Sequence, residues 1–228
     1  MKMSALKVGV DVPWVTSWTD EPVIGVRPCA SVGGRPALIQ VEAAGFGKPE
    51  YSKNHLLRQR LSVARMLCPM CGQPTQPEDR WTQVARRVPA GLLRKQGRGD
   101  GLSKDIGDGD ILLDAGAIAP LHKDCSDRSL RYCPHLKSDP NVNVMAFPER
   151  WTVTPLLIEA TPPEISPNPL LRGPLLRAPL PPGLAPPAPF AVITFLQLCG
   201  LTGRRDPQWK QNRLRYRPTP RPRPAATV

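Results

Sequence analysis

Four residues constrain this chain more than any other feature: a Cys-x2-Cys pair in Cys68-Pro69-Met70-Cys71-Gly72 and a His-x2-Cys pair at His122 and Cys125. Two thiolates on a tight turn, with an imidazole and a third thiolate on a second element, match a structural zinc site in donor type and spacing. The pattern predicts one zinc ion held by Cys68, Cys71, His122 and Cys125, and a fold pinned by it. The same motif runs on into Cys133-Pro134-His135-Leu136, so Cys133 and His135 are alternative ligands. If residues 125–133 are helical, a rise of 1.5 Å per residue puts Cys133 about 12 Å from Cys125, too far to share a tetrahedral ion. Cys133 then reads as a core position beside Leu130 and Leu136, and His135 as a surface cap. Cys29 and Cys199 have no ligand-like neighbours and read as bystanders.

Periodicity places the motifs on an α+β framework with short strands and two helices. Short apolar pieces at 8–10, 23–26 and 37–41 alternate with Pro, Gly and Asp breakers, as strands and loops do, and Trp14 and Trp18 are candidate core anchors. From Ser52 a helical pattern sets Leu57, Leu61 and Ala64 on one face and Arg58, Arg60 and Arg65 largely on the other, and leads into Cys68. Residues 80–88 alternate as one strand, 90–110 read as a mobile polar loop, and 111–114 as a strand. A second helix starts near His122 and stops by Tyr132 or Cys133, because Pro134 disfavours helical geometry in the residue before it. Strands are expected at 142–147 and 151–160. The domain is expected to span 1–160.

A knuckle, strand candidates and a helix start carrying the second ligand pair, in that order, make a treble-clef-like arrangement. With Ser129-Leu130 and the Cys133-Pro134-His135-Leu136 run, these motifs resemble small zinc-binding proteins of uncharacterised families encoded in bacterial and bacteriophage genomes. The resemblance covers roughly residues 7–160, implies metal binding and brings no reaction with it. The arrangement also resembles the scaffold of His-Asn-His nucleases, which place a catalytic histidine between the two ligand pairs. No histidine lies between Cys71 and His122; Asp114 is followed by Ala115 and Gly116, and His55 or His135 would have to serve as the base. The leading expectation is therefore a non-catalytic module, with a zinc-scaffolded nuclease as the alternative. The Gly97-to-Gly101 run lacks the flanking strand and helix of a phosphate loop, and Asp105, Asp108 and Asp110 lack the glutamate of a calcium loop.

More than half of the 30 prolines lie beyond residue 150, so 161–203 reads as a proline-rich, low-complexity linker and 204–228 as a disordered basic tail. The net charge of +12 suits a polyanion, DNA or RNA, and the tail is rich in basic residues. Arg204, Arg205, Trp209, Lys210, Arg213, Arg215 and Arg217 mix guanidinium groups with a stacking ring, the chemistry of an unspecific nucleic-acid arm. The run Pro218-Thr219-Pro220-Arg221-Pro222-Arg223-Pro224 offers a second use, docking to a protein with an aromatic groove. Lys7 and Asp11 interrupt the amino terminus before any apolar stretch, and the apolar run 190–201 falls short of the roughly 20 residues a membrane helix needs. A reducing cytoplasm with free thiolates is the expected location.

Overall fold

The computed structural model describes residues 2–140, 142–160 and 190–206. Its main body is a six-stranded sheet built around one long strand. In chain order the elements are β1 (Thr16–Trp18), β2 (Val23–Pro28), β3 (Pro36–Gln40), β4 (Pro49–Asn54), α1 (Leu56–Arg65), β5 (Trp81–Thr82), β6 (Arg86–Pro89) and α2 (Ala90–Lys95). Then come β7 (Asp110–Gly116), α3 (Lys123–Tyr132), α4 (Pro134–Ser138), β8 (Met145–Ala146), β9 (Trp151–Ala160) and β10 (Phe190–Arg205). The sheet order is β2-β3-β10-β7-β6, with β9 also paired to β10. β9 runs antiparallel along one edge of β10. The other edge takes β3 at Ile193 and then β7 from Leu198 to Arg205. Two small ladders stand apart, β1 with β4 and β5 with β8.

β10 corrects the expected domain limit at residue 160. Residues 190–203, read as linker, form the centre of the sheet, and Val192, Ile193, Leu196, Leu198 and Cys199 are all buried. A strand covered on both faces reads as one apolar run without alternation, which is why proline-rich surroundings concealed it. The rest of the linker, 161–189, and the tail from 207 lie outside the described residues. No helix among the described residues is long and apolar enough to cross a membrane.

Helix α1 lies on one face of the sheet and α2 on the other. On β7, Leu113 and Ala115 pack with Val63 and Met66 of the α1 region, whereas Leu112 packs with Ala90 and Leu93 of α2, following the alternation of strand side chains. Among the described residues there are four α-helices rather than the expected two. The stretch 90–110, expected as a loop, contains α2 and is tied down by Arg94, whose guanidinium donates to Asp108 Oδ1 at 2.6 Å and to the Ile106 carbonyl at 2.6 Å. The single strand expected over 80–88 is two, β5 in a small ladder and β6 in the main sheet.

The burial of α1 is the reverse of the expected pattern: Arg58, Gln59, Arg60 and Val63 are buried, while Leu57 and Leu61 are only half-buried and Ala64 is exposed. The sheet supplies the reason. The pairing of β10 with β9 shifts between Ile193 and Phe195, and the backbone around this bulge turns to the helix. Gln59 Nε2 donates to the carbonyls of Leu196 (2.7 Å) and Ala117 (2.9 Å), and its Oε1 accepts from the Leu196 N–H at 3.0 Å. Arg60, fully buried, donates to the carbonyls of Thr194 (2.8 Å) and Leu38 (2.9 Å). Arg58 forks onto buried Glu21 with two 2.7 Å bonds and donates to the Thr16 carbonyl. Glu21 also accepts from the Trp18 and Ala43 N–H groups. His55 caps the helix by accepting from the Arg58 N–H, and its other ring nitrogen lies 3.0 Å from the Val41 carbonyl.

Gln59→Leu keeps the volume but strips buried partners from Leu196 and Ala117, and the expected loss is about 3 kcal/mol by urea unfolding. A second expectation concerns acid. Burial and the Arg58 charge depress His55, outweighing the Val41 carbonyl and Glu21, so it stays neutral when folded. Burial opposes ionisation of Glu21, but the Arg58 and Ala43 bonds and the Arg58 charge outweigh it and hold the carboxyl low. Both folded pKa values lie below their unfolded ones, so both groups stabilise the fold at neutral pH. The His55 contribution falls away as pH drops below about 6.5 and that of Glu21 below about 4.3, the unfolded values. Thermal melts of His55→Gln should show a flatter pH dependence than the parent over the upper part of that range.

Candidate metal centre

α1 ends at Met66, which takes a left-handed conformation (φ 50°) and turns the chain into the knuckle. The Cys68 N–H donates to Gln73 O at 2.8 Å and the Gly72 N–H to Cys68 O at 2.8 Å, closing the turn that presents Cys68 and Cys71 on one side. Gly72 has φ 77°, and a Cβ there would sit 2.9 Å from the Trp14 ring, so the glycine serves both the turn and the close approach of the indole. The Trp14 and Val15 N–H groups donate to the carbonyls of Met70 and Pro69, fastening the amino-terminal segment to the knuckle. Trp18, the other expected anchor, is fully buried.

The second ligand pair opens α3, whose observed bounds agree with the sequence expectation. His122 is its N-cap residue without a side-chain cap; Asp79 Oδ1 instead accepts from the Lys123 N–H at 2.7 Å. A reciprocal pair of backbone bonds between Trp81 and Leu121 (2.9 and 2.8 Å) holds the helix start against the segment that follows the knuckle. These contacts bring together pieces of chain that are distant in sequence.

The Sγ atoms of Cys68, Cys71 and Cys125 and a ring nitrogen of His122 lie within 4.8 Å of one another. His122 Nδ1 is 3.4 Å from Cys71 Sγ, while Nε2 lies 3.1 Å from the Pro74 carbonyl. A carbonyl only accepts, so Nε2 carries the proton and Nδ1 keeps its lone pair for a metal. Burial pushes the Cys68 thiol up, partly offset by the N–H groups of Cys71, His122 and Met70 aimed at its sulfur. Burial and the neighbouring Cys68 and Cys71 sulfurs push Cys125 up to about 12. Three sulfurs this close cannot all ionise unaided, and a cation among them would remove the conflict. The cluster can therefore hold a metal ion.

Cys133 and His135 are not part of it. Cys133 caps the junction of α3 and α4, half-buried, and His135 is exposed; both face a broad groove beside the centre. His55 is wholly buried in the α1 cap, without access for a substrate. Among the basic residues singled out beyond 203, Arg204 and Arg205 close β10, with Arg205 Nε 2.8 Å from Asp110 Oδ1. Trp209, Lys210, Arg213, Arg215 and Arg217 lie outside the described residues. The acidic stretch is bound internally: Asp105 accepts from Ser103, Asp108 pairs with Arg94, and Asp110 accepts from the Gly107 N–H. Cys29 and Cys199 are buried away from the cluster, and all six cysteines are free thiols.

The fold and site together define an α+β protein with a Cys3His cluster at the junction of a knuckle and a helix start. Comparison with protein-family models, curated proteins and solved structures gives no match.

Gly72→Ala should strain the turn and collide with Trp14. The expected cost of about 1–3 kcal/mol would lower metal affinity by about 5- to 150-fold, as read by chelator competition.

Proposed function

We propose that this chain is a non-catalytic binding module, braced by one zinc ion in a treble-clef-like arrangement, whose partner is nucleic acid. The observation that carries the metal reading is the convergence of three sulfurs and a correctly tautomerised imidazole within 4.8 Å. Three thiolates and one imidazole form a closed tetrahedral set with no position left for water, the pattern of structural rather than catalytic zinc. The order of knuckle, paired strands β6 and β7, and ligand-bearing helix favours the treble-clef reading. Free thiols throughout favour a reducing compartment such as the cytoplasm. The nucleic-acid reading rests on the net charge of +12 and on the basic, aromatic-interleaved carboxyl-terminal region. Here the metal's role is to join the knuckle to α3 so that the surfaces they carry keep one relative position.

The first experiment is elemental analysis of the full chain, since β10 belongs to the sheet and a truncation at 160 would remove it. About one zinc per chain is expected, lost together with the thermal transition in Cys68→Ser and Cys125→Ser. A folded, metal-free parent after purification with zinc present overturns the metal reading. For the partner, replacing Lys210, Arg213, Arg215 and Arg217 with serine should weaken DNA and RNA binding and reduce its salt dependence. Arg204 and Arg205 are spared because they belong to β10.

A further inference from the structure

The guanidinium of Arg128 stands against the metal centre. Arg128 lies three residues after Cys125 on α3, so the two side chains are neighbours on one helix face. Its Nη2 is 4.0 Å from Cys125 Sγ and 3.3 Å from the Gly9 carbonyl. This nitrogen carries two N–H groups, enough to donate to both acceptors at once. The residue is half-buried, and its Nε is buried without a partner among the described residues. The nearby carboxylates of α3 do not take up its charge: Asp127 pairs with Lys123 at 2.6 Å, and Asp124 is exposed. Arg128 thus gives up solvent and leaves one N–H unsatisfied to sit beside a sulfur and a carbonyl, an arrangement that favours an anionic sulfur next to it.

Three thiolates and a neutral imidazole around a divalent zinc leave one negative charge in excess. The sulfurs are not equally provided for. Cys68 has the N–H groups of Cys71, His122 and Met70 aimed at it, whereas the donor that reaches Cys125 is Arg128. Lys123, the other cation beside the ligand pair, is committed to Asp127 and to the Trp81 ring. Donors to a ligating group fix its orientation and its charge, and metal affinity depends on them as well as on the ligands. The Gly9 contact adds a mechanical link. Loop 7–12 is closed by the Lys7 carbonyl, which accepts from the N–H groups of Val10, Asp11 and Val12. Gly9 has φ 80°, and a Cβ there would sit 3.3 Å from the Cys71 carbonyl, so the loop lies directly on the knuckle. One guanidinium therefore joins the helix that carries Cys125 to the loop that covers Cys71.

We infer that Arg128 is a positioning residue of the metal centre, whose charge offsets that of the thiolate set and whose Nη2 fixes Cys125 against the amino-terminal loop. The inference rests on the zinc reading above and adds to it a residue, outside the four ligands, on which metal affinity depends.

The test uses the full chain, loaded with zinc to measure affinity and with Co(II) to read sulfur donation through its thiolate-to-metal charge-transfer band. Arg128→Met keeps most of the stem and removes the charge and the donors. It should weaken zinc binding about 10- to 100-fold by chelator competition. It should also move the charge-transfer band to longer wavelength, because an uncompensated thiolate gives up an electron more readily. Arg128→Lys restores the charge and should return both readings most of the way to the parent. Arg131→Met, at an exposed position of the same helix, should change neither. Arg128→Gln also lacks the charge, carries the same expectation as the methionine variant and replaces it if that variant does not fold. Parent-like affinity and band position without the charge overturn the inference and leave the zinc reading standing. Weakened binding with an unmoved band shows a packing role alone and also overturns it. A parent that takes up neither zinc nor cobalt overturns the zinc reading and the inference with it.

Discussion

A fully buried amide and guanidinium on α1 hold the molecule together. Where β10 kinks out of register with β9, its backbone groups cannot all be satisfied within the sheet, and Gln59 and Arg60 reach in from the helix to complete them. An unpaired backbone group in the core costs about 1–3 kcal/mol, so the bulge and the polar helix face depend on each other. Arg58 extends the same face to Glu21 and so to the β1 region. One helix thereby ties the central strand, the β2-β3 hairpin and the amino-terminal ladder into a single body. This explains why the helix can bury three long polar side chains in succession while exposing Ala64.

The metal centre inherits its geometry from that framework. α1 ends in the left-handed Met66, and the knuckle begins two residues later, so the position of Cys68 follows from the docking of the helix. On the opposite side, β7 leaves the sheet at Gly116 and the chain passes through Leu121, clamped to Trp81, before His122. The four ligands are brought together by two elements anchored in the sheet, and a bound cation would close the remaining gap between them. The groove lies beside those elements and is lined by Pro69 and Met70 of the knuckle and by Arg128 of α3.

Much of the local structure was legible because it obeys short-range rules. Helix α3 runs from the residue after His122 to the residue before Cys133, as the proline at 134 requires. The strands β2, β3, β7 and β9 fall close to where apolar runs between breakers put them. The face of α1 was misread because leucines and arginines at helical spacing ordinarily assign the interior to leucine. Only the presence of unpaired backbone groups at Leu196 and Thr194, far along the chain, reverses that preference.

By itself, then, the sequence singled out the clustering residues Cys68, Cys71, His122 and Cys125, the class of fold and the ends of α3. Those properties depend on residue chemistry and on spacing within a few turns of chain. The tertiary structure decided that 190–205 is the central strand, that α1 buries its arginines, that Cys133 and His135 stay out of the cluster, and that a groove opens beside it. Each of these turns on which backbone groups are left without partners and which surfaces meet, and those are properties of segments that are neighbours only after the chain has folded.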